Sequence, residues 1–465
     1  MTPARPPDRP DEPPHEPPHE PPDELPDELP VRLRGASSAT TTIAPPPLTR
    51  VEGEGRLVVR IRDGRVEQAQ LRIFEPPRFF EALLRGRAFT EPPDITARIC
   101  GICPIAYQMS ALAAIERICG VEVTGPAADL RRLVYCGEWI ESHALHVFLL
   151  HLPDFLGADS ALELARSQPR RVKQGLILRK AGNELIRVIG GRSIHPINAR
   201  VGGWHRAPLR AELTALRPVL EQAREIAHDT ALFAATLDFP DDHLDGPFVA
   251  LRQPGVYAIE RGRITATTGL DITADEFDDH ITEHQVPWSN ALHATLADGP
   301  YLCGPLARFA LNAPWLAPAA LGTAAAAGLR APERNPFRSI LVRCVEMVHA
   351  ADEALRIIDR YTEPAEPALP ADPRAGTGHG ATEAPRGLLY HRYTTDSAGT
   401  ILDAKIVPPT SQNQRAIEKD LRGVLGRHLD LPHPDLTLLC ERIIRNHDPC
   451  ISCATHFLTL DITRT

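Results

Sequence analysis

Two Cys-x-x-Cys motifs near opposite ends of the chain, Cys100-Gly101-Ile102-Cys103 and Cys450-Ile451-Ser452-Cys453, lie 346 residues apart and constrain it more than any other feature. A two-residue gap lets both sulfurs of a pair face one site, and thiolates are soft ligands suited to transition metals. Pro104 and a helical run from Tyr107 follow the first pair, so its sulfurs lie at a helix N-terminus, where the dipole favours thiolate over thiol. Four such ligands close one site only if the fold brings the chain ends together. On spacing alone, a structural four-cysteine zinc site and an iron–sulfur site stay open. Both pairs are nevertheless embedded in charged or polar residues, Arg98 before the first and Asp448 and His456 around the second, which a purely structural clamp would not need. Cys119, Cys136, Cys303, Cys344 and Cys440 stand alone and read as inert core residues.

The remaining sequence narrows the class. Aromatic residues make up only 5% of the 465 residues while Ala and Leu are abundant, which predicts a mainly helical core. Net charge is −9 and no basic run is interleaved with aromatics, so nucleic acid is not an expected partner. The most apolar stretch, residues 314–329, is short and interrupted by Pro318, so no membrane span is expected, and the absence of an export signal makes the cytoplasm the default. Residues 1–47 hold 15 of the 46 prolines in an acidic, repetitive tract containing His15 and His19, and they read as a disordered tail.

Residues 48–465 read as one domain. Alternating apolar residues over 57–61 and 66–73, around the turn Arg62-Asp63-Gly64-Arg65, predict an N-terminal hairpin. Helical periodicity dominates 107–118, 130–152, 167–189, 208–237 and 336–359, short strands and turns are expected over 247–310, and a Pro/Gly-rich surface loop over 364–383. The expected fold is therefore α+β and predominantly helical, with long central helices and a small N-terminal β-hairpin region.

The flanks of the cysteine pairs carry a specific resemblance. Arg98-Ile99-Cys100-Gly101-Ile102-Cys103 and Asp448-Pro449-Cys450-Ile451-Ser452-Cys453-Ala454-Thr455-His456 resemble the two signature motifs of NiFe-hydrogenase large subunits. Further segments follow in that family's order: Arg50-Val51-Glu52-Gly53, Phe80-Glu81-Ala82-Leu83, Gly191-Arg192-Ser193-Ile194-His195-Pro196, Ala384-Pro385-Arg386-Gly387 and Val407-Pro408-Pro409-Thr410. The likeness runs from about residue 48 to 456 and implies the large-subunit fold.

By this resemblance Cys100 and Cys450 bind nickel terminally, and Cys103 and Cys453 bridge nickel to an iron carrying carbon monoxide and cyanide. Arg386 corresponds to a guanidinium above the metals, Asp448 to the carboxylate that orients it, and Glu52 to the first proton-relay group. Pro385 and Thr410 fall where the family contacts cyanide, and Glu81 and His456 where it binds magnesium. The resemblance also implies a small subunit carrying iron–sulfur clusters, flavin- and NADP-binding diaphorase subunits, and maturation proteins. The chain itself has neither spare cysteine clusters nor a G-x-G-x-x-G fingerprint.

Glu54, Tyr107 and Ser142 depart from the commonest family pattern, which has His, His and Asp there. The combination resembles most the soluble bidirectional NADP-coupled subgroup, the sulfhydrogenase alpha subunits of group 3b. His143 and His146 suit either proton movement or a satisfied core. Residues 457–465 correspond to a peptide that relatives often lose, or to a retained edge strand. Two other readings share some of these features: a hydrogen sensor with the same centre, and a cysteine-bearing relative of the quinone-site subunit of complex I.

Overall fold

The computed structural model describes residues 40–43, 47–76 and 78–456. The tail before residue 40 and the segment 457–465 lie outside the described residues, and with them the expectations for His15, His19 and the C-terminal peptide. Thr40–Ile43 forms a strand, β1, that pairs antiparallel with β2, Gly55–Arg62. Ile43 is buried there, so regular structure begins before residue 48, within the stretch read as tail. Strand β2 turns through Asp63-Gly64 into β3, Arg65–Ile73, with Arg62 opposite Arg65 and Gly55 opposite Ile73. This is the expected hairpin, its apolar face buried against the C-terminal helices.

Long helices make the centre. After the short helix α1, Phe80–Leu84, helix α2 spans Pro104–Cys119 and α3 spans Gly125–Leu145. Each begins with a proline in its first turn, where the missing N–H costs nothing, and left-handed Gly120 ends α2. Helix α3 runs into a π-helical turn, His146–His151, so the single helix expected over 130–152 changes register near its end. Helices α4, Pro169–Gly190, and α5, Arg217–Ala234, follow; α6 is Pro305–Asn312 and α7 is Ser339–Arg360. Helix α3 packs on α4 and α7, and α7 on α5, through a continuous apolar core.

The sequence reading fails over 364–383. Only its first part is loop: Gly376–Ala384 forms β4, which pairs antiparallel with β5, Gly387–Thr395, itself paired with β6, Ile401–Val407. Gly378 and Gly380 suggested a loop because glycine is depleted in strands. Here it lets the sheet lie directly on α2, since an added Cβ would stand 2.1 Å from the Ala114 carbonyl oxygen at Gly378 and 2.3 Å from that of Ser110 at Gly380. Helices α8, Pro409–Arg427, α9, His433–Asn446, and α10, Ile451–Ala454, complete the chain. Among the described residues no helix is long and apolar enough to cross a membrane.

Candidate metal centre

The fold joins the two ends. Cys450 pairs with Glu52 as a parallel bridge, and the Ile451 N–H donates to the Glu52 carbonyl oxygen at 3.0 Å, fixing the second cysteine motif to the segment just before β2. The first motif stands at the N-terminus of α2. Sulfurs of Cys100, Cys103, Cys450 and Cys453 all lie within 4.8 Å of one another and are buried. Cys100 and Cys450 are 3.6 Å apart, Cys103 and Cys453 3.7 Å, and Cys450 and Cys453 2.7 Å. The five solitary cysteines are buried, with free thiols, and none belongs to this cluster. Burial pushes the thiols of Cys344 and Cys440 up to about 12.

The Cys100 sulfur accepts the Ile102 and Cys103 N–H groups at 3.3 and 3.4 Å. Hydrogen bonds from Cys103, Cys450 and Cys453, with the nearby Arg386 charge, hold Cys100 well below the usual thiol range. Burial pushes Cys450 and Cys453 up. Four buried sulfurs this close together repel one another as thiolates, and a cation sharing their charge relieves that repulsion, as expected of a metal site.

Arg386 stands at the tip of the two-residue turn joining β4 to β5. Its Nε donates to the Asp448 carbonyl oxygen at 3.0 Å and its Nη2 to Asp448 Oδ1 at 3.1 Å. Asp448 adopts a left-handed backbone, φ 51°, which turns the chain out of α9 and aims its carboxylate at Arg386. Burial works against the guanidinium charge, but Asp448 and the cysteine sulfurs raise its pKa well above the ordinary arginine value. Nη1 of Arg386 and Oδ2 of Asp448 are buried without a partner among the described residues, two polar atoms available to a group absent from the chain.

Glu52 Oε2 accepts from the Cys450 sulfur and from the Ser452 N–H, each at 3.1 Å. The Thr410 hydroxyl oxygen takes the Cys450 N–H at 2.9 Å, leaving its own hydrogen to donate. Pro385 gives its carbonyl to buried Arg308 at 2.8 Å. Glu81 and His456 meet at 3.0 Å, and Glu81 also accepts the Ile406 N–H at 2.7 Å. The structure therefore groups Glu52, Thr410, Arg386 and Asp448 around the four sulfurs, and sets Glu81 and His456 together beside the second cysteine pair.

Several structural supports were not singled out from sequence. Arg308 on α6 is fully buried and binds Glu346 through two bonds of 2.8 Å, Glu383 at 3.1 Å, and the Ala384 and Pro385 carbonyls at 2.8 Å, so it fixes the turn that carries Arg386. Glu138 on α3 accepts the Ile105 and Ala106 N–H groups at 2.6 and 3.1 Å, anchoring the helix that follows Cys103. Burial raises the Glu138 carboxyl well above the usual range. A charged residue inside an apolar run was the available signal at both positions, Glu138 before Trp139-Ile140 and Arg308 within Leu306-Ala307-Arg308-Phe309-Ala310-Leu311. His143 stands 2.9 Å from Glu346, and His146 Nε2 meets the Arg445 carbonyl at 2.8 Å. Burial lowers both imidazoles, which favours the reading of neutral core residues.

Similarity to known proteins extends over most of the chain. The nickel-dependent hydrogenase family model matches residues 78–176 and 338–456. The chain is 32% identical to sulfhydrogenase 1 subunit alpha of Pyrococcus furiosus, over 89% of this chain and 97% of that one. It is 30% identical to the NAD-reducing hydrogenase HoxS subunit beta of Cupriavidus necator, over 89% and 94%. A solved structure of an NAD+-reducing [NiFe]-hydrogenase in the H2-reduced state superposes with a TM-score of 0.80 at 26% identity, covering 90% of this chain and all of that one. With its two distant cysteine motifs closed into one site, this protein belongs to the nickel-dependent hydrogenase large-subunit family, is similar to the sulfhydrogenase alpha subunits, and serves as a hydrogenase catalytic subunit.

Proposed function

We propose that this subunit interconverts dihydrogen with protons and electrons at a nickel–iron centre held by Cys100, Cys103, Cys450 and Cys453, and that its electrons are exchanged with NADP(H) through partner subunits. The carrying observation is the convergence of four buried sulfurs close to the buried Arg386 guanidinium, whose Nη1 has no partner among the described residues. When bound, the centre supplies the soft metal pair on which dihydrogen is split heterolytically.

The residues of the chain do the rest. Glu52, 3.1 Å from the Cys450 sulfur, is placed to take a proton from it and return one. Asp448 orients Arg386, whose Nη1, without a partner among the described residues, would donate to a group bound at the centre. Carbon monoxide and cyanide complete the iron, with cyanide held by the Pro385–Arg386 turn and the Thr410 hydroxyl; the spare hydrogen of Thr410 supports this. Magnesium is held by Glu81 and His456. Glu283 supports that site: its buried Oε1 has no partner among the described residues, and burial pushes its pKa up to about 7 in the neighbourhood of His456 and Glu81.

The NADP coupling rests on the likeness to sulfhydrogenase alpha subunits. It requires a small subunit with iron–sulfur clusters, flavin-bearing diaphorase subunits, and maturation proteins that install the metals. Residues 48–465, with β1 added at Thr40–Ile43, act as the catalytic domain, in the cytoplasm, and residues before β1 as a tail. Metal analysis and infrared spectroscopy of the enzyme purified with its partners test the centre: equimolar nickel and iron with carbon monoxide and cyanide bands support it, and zinc alone refutes it. Rapid hydrogen-dependent NADP reduction separates an enzyme from a sensor. Glu52→Gln should abolish solvent hydrogen–deuterium exchange with both metals retained.

A further inference from the structure

Ser452, between the two cysteines of the second motif, stands between two carboxylates. Its N–H donates to Glu52 Oε2 at 3.1 Å, and its hydroxyl donates to Glu75 Oε2 at 2.9 Å. Glu75 Oε2 also accepts the Glu54 N–H at 3.3 Å, and its Oε1 pairs with Arg78 at 2.9 Å. The packing is close: a Cβ added at Gly53 would meet Glu75 Oε2 at 2.7 Å and the Ser452 nitrogen at 2.9 Å. Exposure rises along this line. The Cys450 sulfur is buried, the Glu75 side chain is 13% exposed and that of Arg78 31%.

We infer that Glu75 is the second proton-carrying group of this subunit, exchanging protons with Glu52 through the Ser452 hydroxyl and with solvent beside Arg78. The inference rests on Glu52 being the first relay. A proton taken by Glu52 reaches the serine oxygen when the protonated side chain rotates from the Ser452 N–H to the hydroxyl, while the serine hydrogen passes to Glu75. Serine ends neutral, Glu52 ionised and Glu75 protonated, and no electron moves. Glu75 then passes its proton to water beside Arg78, its ion-pair partner at 2.9 Å. A purely structural latch would need the Ser452–Glu75 bond as well, but not a carboxylate at its far end.

That difference supplies the test. Glu75→Gln keeps an acceptor for the Ser452 hydroxyl and removes the proton carrier; Ser452→Ala removes the bridge and Ser452→Thr restores a hydroxyl. Each is made in the full enzyme with its partners and read by D2/H2O exchange, by the infrared bands of the metal centre, and by the protonated-carboxyl C=O band in hydrogen/deuterium difference spectra. The expected result is exchange slowed on the order of tenfold or more in Glu75→Gln and Ser452→Ala, with metal-centre bands unmoved, the carboxyl band reduced in Glu75→Gln, and recovery in Ser452→Thr. Wild-type exchange in Glu75→Gln and Ser452→Ala, with exchange lost in Glu52→Gln, overturns the Glu75 step alone. Slowed exchange accompanied by shifted metal-centre bands in Glu75→Gln assigns a latch and also overturns it. Exchange retained in Glu52→Gln refutes the first relay instead.

Discussion

Replacing Arg308 by methionine tests whether the turn above the cysteines is held by buried charge. Arg308 is fully buried, lies over the Trp139 ring at 4.4 Å, and pairs with Glu346 and Glu383 while satisfying the Ala384 and Pro385 carbonyls. Removing one partner of a buried ion pair costs about 3–5 kcal/mol, because the charge left behind keeps its desolvation penalty. Two carbonyl oxygens losing their donors add about 1 kcal/mol each. These losses share one cage and are not additive, so a total of about 5 kcal/mol is expected, a large part of the roughly 5–15 kcal/mol of a typical domain. Urea denaturation followed by circular dichroism, at equal metal loading, measures it. Arg62→Ala, which breaks an exposed pair with Glu67, is the control and should cost less than about 1 kcal/mol. An Arg308→Met loss no larger than the control would refute the view that this cage holds the turn.

Other substitutions probe the site and the scaffold. Arg386→Lys replaces a planar fork by a point donor unable to keep both bonds to Asp448; turnover should fall on the order of 100-fold with nickel and iron still bound, measured by hydrogen uptake and metal analysis. His349 is held by burial at about 4, with its Nδ1 accepting the Ala317 N–H. The unfolded chain therefore binds a proton below about pH 6.5 that the folded chain refuses, and stability is lost as pH falls toward 4. Between pH 8 and 5 this amounts to about 2 kcal/mol, which His349→Gln should not lose; equal slopes in denaturant titrations of both proteins would contradict it. Gly378→Ala forces a Cβ against the Ala114 carbonyl and should lower stability by about 1–3 kcal/mol, read as a reduced melting temperature.

Legibility in the sequence followed the range of the interaction. The β2–β3 hairpin is a local pattern with a two-residue turn, and strands and turn fell where expected. The central helices carry 3.6-residue periodicity and most of them start with a proline, but the run expected over 208–237 is two helices, Arg210–Thr214 and Arg217–Ala234, and the π-helical turn at His146–His151 has no periodic signal. Strand β4 was missed because its glycines mean loop locally and close approach globally: only the presence of α2 beneath them distinguishes the two.

The site divides in the same way. The paired spacing of the four cysteines marks them as a candidate site, and the fold gathers their sulfurs, whereas Glu52, Arg386, Asp448, Thr410, Glu81 and His456 are singled out only through the family resemblance of the motifs that hold them. By itself the sequence determined the two cysteine pairs as a candidate site, the helical class and the family likeness, all of which reside in local pattern and residue identity. Tertiary structure alone decided that Glu138 anchors the helix after Cys103, that Arg308 on a distant helix fixes the Arg386 turn, and that Ser452 joins Glu52 to Glu75. Those contacts link residues dozens to hundreds of positions apart, and a buried charge finds its partner only when the fold removes both from water.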